Sequence, residues 1–245
     1  MVDAGSQQGF DRRFEWGLTG ARLLAPQGDV LVVVDVLSFA TCVDVAVSRD
    51  CEVYPAPWAD GRAAELADQV GGVLAVARGA MTSENPYSLS PASLTALPRG
   101  TRLVLPSPNG ATICREAEPW GPTMFVGGLR NALAVAAAAA KHGAIVGVIA
   151  AGEQWPDGSL RPALEDLTGA GMILAALGGD PSPEASAAIM TSELATRADL
   201  AECASARELI ALGYENDVRL AMMCNVSSRA PILRNGAFVD VTSPG

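Results

Sequence analysis

Residues Asp29–Val36 read DVLVVVDV, an apolar run interrupted only by Asp35. A strand with one wet face alternates polar and apolar positions. A run without polar positions has both faces covered, as at the centre of a parallel sheet. The residues that follow, to about Ser48, are compatible with a helix. Outward from this segment the pattern repeats. Strands are predicted at Glu52–Pro55, Gly72–Ala77, Arg102–Pro106, Met124–Val126 and Ala144–Ala150. Helices are predicted over Asp60–Val70, with Ala63, Leu66, Ala67 and Val70 on one face, from Asn109, over Leu129–Lys141, and from about Ala163 to Leu177. A loop rich in Ser, Asn and Pro spans Arg78–Pro98. Alternating strands and helices predict an α/β fold with a largely parallel sheet. The chain then reads as helical from Ser182 to about Cys224, with breaks near Asp199 and Gly213. Pro231–Val241, with Asn235-Gly236 between apolar runs, reads as a β-hairpin.

The chain has 245 residues, is 49% apolar and carries a formal net charge of −10. That is enough for a substantial core, and nothing in the pattern marks a boundary, so one domain over 1–245 is expected. The acidic balance argues against nucleic acid and anionic membranes as partners. An anionic substrate would have to be met by a local group of arginines. Cys42, Cys51, Cys114, Cys203 and Cys224 are scattered and form no CxxC, which suits reduced thiols in the cytoplasm. The charges at Asp3, Asp11, Arg12, Arg13 and Glu15 do not read as a signal peptide. The apolar stretch Ala132–Ala151 is interrupted by Lys141, His142 and Gly143, so it reads as helix, turn and strand, not as a membrane span.

Candidate chemistry gathers at predicted strand ends, where α/β proteins bind ligands. Asp35 is either a turn or N-cap residue or a carboxylate facing a ligand. SPNGAT (Ser107–Thr112) and GGLRNA (Gly127–Ala132) each bring small residues and an Asn to a helix start, where free N–H groups favour anions. Asn109, Gly110, Arg130 and Asn131 are the residues these turns offer. Arg78, directly after a strand, either clamps an anion or pairs with an acid. GEQWPDGSLRPALEDLTGAG (Gly152–Gly171) adds Glu153, Arg161, Glu165 and Asp166. Glu165 and Asp166 also complement the dipole of a helix start. Gly169 and Gly171 inside a helical pattern point to close packing of the helix against the sheet or a ligand. Oxygen-only donors suit a hard cation such as Mg2+, and arginine suits an anionic group. His142, before Gly143, reads as a helix C-terminal cap. The chain therefore lacks the base of a Ser-His-Asp triad, and it has no Cys-x5-Arg loop, Walker A motif or GxGxxG turn. Arg207, Glu208 and Asp217 lie at helical spacing and read as surface ion pairs.

Taken together, VVVDVLSFAT, the Arg78 loop ending in NPYSLSP, SPNGAT, GGLRNA, AGEQWPDGSLRPALEDLTGAG, SARELIALGYENDVRLA and SSRAPIL resemble the 2-phosphosulfolactate phosphatase family. The resemblance implies a three-layer α/β/α fold with a largely parallel or mixed sheet, Mg2+, and hydrolysis of a phosphate monoester in coenzyme M biosynthesis. This chain departs from the family pattern in two places. Ser38 and Phe39 stand where a DVLRAT-like motif carries an arginine, and Ala77 stands where an acid precedes Arg78. The chemistry then suggests roles. Asp35 and Glu153 would hold Mg2+, with Glu165 or Asp166 as a further ligand or a base for water, and either water attacks directly or Asp35 first forms an aspartyl-phosphate. Asn109, Gly110 and Asn131 would orient phosphate oxygens, and Arg78, Arg130 and Arg161 would grip the anionic groups. The alternatives are the same chemistry on another phosphoester, or a non-catalytic binder of small acidic metabolites. A homodimer is the ordinary expectation.

Overall fold

The computed structural model describes residues 7–57 and 61–243. The chain opens with strand β1 (Arg12–Trp16) and helix α1 (Gly17–Leu24). Then follow β2 (Val30–Val34), α2 (Phe39–Val47), β3 (Glu52–Pro57), α3 (Arg62–Val70), β4 (Val73–Leu74) and the short α4 (Pro91–Leu94). Next come β5 (Arg102–Ser107), α5 (Gly110–Ala117), β6 (Thr123–Gly127), α6 (Ala132–Ala139) and β7 (Val146–Ala150). A two-stranded ribbon, β8 (Glu153–Gln154) and β9 (Leu160–Arg161), precedes α7 (Leu164–Leu177) and α8 (Pro183–Leu194). Helices α9 (Arg197–Ala201), α10 (Ala204–Ala211) and α11 (Glu215–Ala221) lead to the hairpin β10 (Pro231–Arg234) and β11 (Ala237–Asp240).

Among the described residues nine strands form one sheet in the order β1-β7-β2-β6-β10-β11-β3-β5-β4. It is a mixed sheet made of two parallel blocks, β1-β7-β2-β6 and β3-β5-β4. The C-terminal hairpin joins them through antiparallel pairings at Ile232 with Phe125 and Phe238 with Val53.

The Asp29–Val36 run behaves as its pattern requires. All five residues of β2 are buried. Val30, Val32 and Val34 enter one core with α6, α7 and α8, while Leu31 and Val33 enter another with α1, α2 and α5. Each face is covered by helices, so the side-chain alternation is hidden in an all-apolar sequence. The second core also takes Val53 of β3 and Leu103 and Leu105 of β5, so the α1, α2 and α5 layer packs against both blocks. On the other side of β5, Val104 packs against Ala63 and Ala67 of α3. The architecture is three-layer α/β/α.

The differences from the sequence pattern have local causes. β1 lies at the sheet edge and its burial is incomplete, so RRFEW carries no apolar run. α1 follows it with no side-chain cap, so its start carries no signal. Asp60, where the periodicity would begin the next helix, lies outside the described residues. Gly169 marks close packing against the sheet, where a Cβ would lie 3.1 Å from Val34 Cγ1, whereas Gly171 packs against helix α8, where a Cβ would lie 2.0 Å from Ala188 O. His142 ends the α6 region with its Nδ1 2.9 Å from Ala138 O. Among the described residues no helix is long and apolar enough to cross a membrane, and all five cysteines are free thiols.

Candidate active site

The ends of β2, β5 and β7 converge through carboxylates. Asp35 follows β2 and is buried. Its Oδ1 accepts from Phe39 N at 3.1 Å and its Oδ2 from Gly110 N at 2.8 Å. These bonds tie it to the first turns of α2 and α5. Gly110 is required by space: a Cβ there would sit 2.7 Å from Asp35 Oδ2 and 2.5 Å from Phe39 Cδ1.

Asp166, in the first turn of α7, is also buried. Its Oδ1 accepts from Val36 N at 2.7 Å and its Oδ2 from Gly152 N at 2.9 Å. One side chain thereby closes the loops after β2 and β7. Gly152 takes φ +67° at this point, and a Cβ would meet Leu160 Cδ1 at 2.7 Å. With each oxygen accepting a backbone donor, Asp166 clamps the two strand-end loops together.

Glu165 is buried and accepts from Cys203 Sγ at 3.1 Å. Glu153, half-buried, accepts from Asn109 Nδ2 at 3.0 Å. These carboxylates feel one another. Burial raises the Asp35 carboxyl above its ordinary range, and the Glu165 charge adds to this against the Phe39 and Gly110 N–H groups and the Arg78 charge. Burial and the charges of Asp35 and Glu165 push Glu153 up to about 7. Asp166 is raised well above its ordinary range by burial, then by the Glu165 and Asp35 charges. Buried like charges in one place disfavour ionisation unless a cation joins them.

The arginines divide into two sets. Arg78 Nη2 donates to Ser38 Oγ at 2.6 Å, and its charge acts on Asp35. Arg161 faces Glu153 across the β8–β9 ribbon, lies 5.6 Å from the Trp155 ring centroid, and pairs with the exposed Glu208 at 3.0 Å. Arg130 is elsewhere: its Nε pairs with buried Asp44 at 2.7 Å, and its Nη1 donates to Leu220 O. This guanidinium joins α2 to α11, and among the described residues its ion-pair partner is Asp44, not Asp35, Glu153, Glu165 or Asp166. Asn131 accepts from Gly128 N at 3.0 Å and caps its own turn. The SPNGAT turn meets the protein's own carboxyl groups: Gly110 N donates to Asp35 and the Asn109 side-chain amide to Glu153. Asp217 reads in sequence as a surface acid, yet it is buried and pairs with Arg78. Its burial comes from contacts more than a hundred positions away, which no local pattern reports.

A cavity of about 280 Å3 opens beside this cluster, lined in part by Trp16, Asn109, Thr112, Glu153, Gln154 and Leu160. Ordinary ligand pockets run from about 300 to 1,000 Å3, so this one suits a small metabolite. Among the described residues no three His, Cys, Asp or Glu side chains are grouped to hold a metal ion by themselves. Magnesium ordinarily takes only one or two carboxylates, completing its shell with water and substrate phosphate. Asp35 and Glu153 are two carboxylates close enough to influence one another, which fits that kind of donor set.

The sequence pattern of the 2-phosphosulpholactate phosphatase family matches residues 22–236. The chain is also similar to the 2-phosphosulfolactate phosphatase of Methanothermobacter thermautotrophicus, at 31% identity over 214 residues, which covers 86% of this chain and 90% of the relative. The chain therefore belongs to the 2-phosphosulfolactate phosphatase family, a family of phosphoric monoester hydrolases.

Proposed function

We propose that this protein hydrolyses 2-phosphosulfolactate to sulfolactate and phosphate, with magnesium as cofactor. The observation that carries the reading is the set of carboxyl groups Asp35, Glu153 and Glu165 that act on one another, flanked by Arg78 and Arg161. The substrate carries a phosphate, a carboxylate and a sulfonate. In a protein of net charge −10, such an anion needs local positive charge. Arg78 and Arg161 supply it, and planar guanidinium groups suit all three anions.

Asp35 and Glu153 would hold the cation, with Glu165 in support. A bound magnesium neutralises phosphate charge and lowers the pKa of a bound water. The chain's own residues then do the positioning. Gly110 N and Phe39 N hold the Asp35 carboxylate in one orientation, and Asn109 does the same for Glu153. Arg78 and Arg161 orient the ester, and fixed orientation is a large part of phosphoryl-transfer catalysis.

The test is phosphate release from 2-phosphosulfolactate, with and without a chelator, in wild type and Asp35→Asn. Magnesium-dependent release, lost in the variant, is expected. Release from other phosphoesters only would reassign the substrate. Tight binding of the ester without release from any ester would sink the reading in favour of a binder.

A further inference from the structure

The segment from the end of α9 through α11 holds three site residues. Cys203 donates to Glu165, Glu208 pairs with Arg161, and Asp217 pairs with Arg78. Of the two carboxylates, Glu208 is exposed while Asp217 is only 1% exposed. Asp217 Oδ1 accepts from Ser90 Oγ at 2.6 Å and from Ala92 N at 3.0 Å, which anchors the start of α4. Its Oδ2 accepts from Arg78 Nε at 3.4 Å. The Arg78 guanidinium also lies 5.2 Å from the Tyr214 ring centroid. With Nη2 bonded to Ser38 Oγ, this side chain is held on three sides. Among the described residues Nη1 has no hydrogen-bond partner.

A buried carboxylate is costly unless paired and hydrogen-bonded, and Asp217 has both kinds of partner. An arginine on a mobile loop would lose rotamer freedom on gripping an anion. One already fixed has lost it on folding. We propose that Asp217 is a positioning residue for the reaction: it holds Arg78 so that the guanidinium edge left free by Asp217 and Ser38 meets the anionic substrate beside Asp35. This deepens the phosphatase reading of the site and rests on it. Asp217 itself touches no reacting atom in this assignment.

The experiment compares Asp217→Asn, Arg78→Lys, Arg78→Ala and the double variant of Asp217→Asn with Arg78→Ala. Asparagine keeps an oxygen for Ser90 and Ala92 but loses the charge facing Arg78. Lysine keeps the charge at position 78 but not the fork. Both single changes are expected to lower kcat/KM by roughly ten- to a hundred-fold. In the Arg78→Ala background, Asp217→Asn is expected to add almost nothing, because it acts through the arginine. A merely structural role would add its full loss in both backgrounds, and that result overturns the proposal. So does wild-type kcat/KM in Asp217→Asn. Should that variant fail to fold, wild-type behaviour of Arg78→Lys overturns it instead. Calorimetric binding of inorganic phosphate separates the two readings. A protein that hydrolyses no phosphoester, yet loses phosphate binding equally in Asp217→Asn and Arg78→Ala, keeps the positioning role while the proposed activity falls. Phosphate binding that is absent in wild type or unchanged in Asp217→Asn removes it.

Discussion

The backbone N–H of Gly110 donates to Asp35 Oδ2 at 2.8 Å, and this bond joins the ends of strands from the two parallel blocks. Three antiparallel pairings separate those blocks along the sheet. The shared layer of α1, α2 and α5 nevertheless brings the loops after β2 and β5 together.

The close approach leaves no room for a side chain at Gly110, since a Cβ would fall within 3 Å of both Phe39 and Asp35. Gly110→Ala should cost roughly 1–3 kcal/mol through overpacking and should lower phosphatase activity by displacing Asp35. Denaturant unfolding alongside phosphate release measures both. A variant with wild-type stability and turnover would contradict the role of this contact.

Asp166 should matter first for architecture. Asp166→Ala leaves the N–H groups of Val36 and Gly152 without their acceptor, at about 1–3 kcal/mol for each buried donor. Both loops carry site carboxylates, so activity should fall with stability. Hydrogen exchange at Val36 and Gly152 gives a direct readout, and unchanged protection there would show that the clamp is not needed.

The carboxylate cluster predicts a pH dependence of stability in the metal-free protein. Folding raises Glu153 from the ordinary 4.5 to about 7. Between those values the folded protein keeps a proton that the unfolded chain has lost. The contribution from Glu153 is therefore complete below the lower value and is lost as pH rises through the upper one. Unfolding midpoints should fall with rising pH across this window, and Glu153→Gln should flatten the fall. Asp35 and Asp166 are raised as well, so some slope should remain. Superimposable profiles for wild type and Glu153→Gln would refute Glu153 as a source of the slope.

Two arginines that look alike in sequence should fail differently. Arg130→Ala leaves Asp44, 1% exposed, without its partner, and removing one member of a buried pair costs about 3–5 kcal/mol. Its KM should stay unchanged. Arg161→Ala breaks a pair whose acid is 65% exposed, so stability should fall less than in Arg130→Ala while KM rises. The opposite assignment of the two phenotypes would show that Arg130, not Arg161, grips the substrate.

The alternation of strands and helices and the strand ends are legible in the amino-acid order, and the three layers follow from the family resemblance. DVLVVVDV reads as a strand covered on both faces, and Gly169 as a close approach of its helix to the sheet, whereas the contact of Gly171 with α8 needed the folded chain. The same order places Asp35, Asn109, Glu153, Glu165 and Asp166 near strand ends and helix starts. Local pattern records the period of burial and the dihedral needs of turns, and these are set by neighbours in sequence. Partners are not set that way. Asp166 reaches Val36 across 130 positions and Arg78 reaches Asp217 across 139. It takes the folded chain to show that Asp166 clamps two loops, that Arg130 belongs to Asp44, and that Asp217 is buried behind Arg78. Pairing and desolvation depend on distances through space, and a charged residue has the same letter whether it faces water, a substrate or another charge.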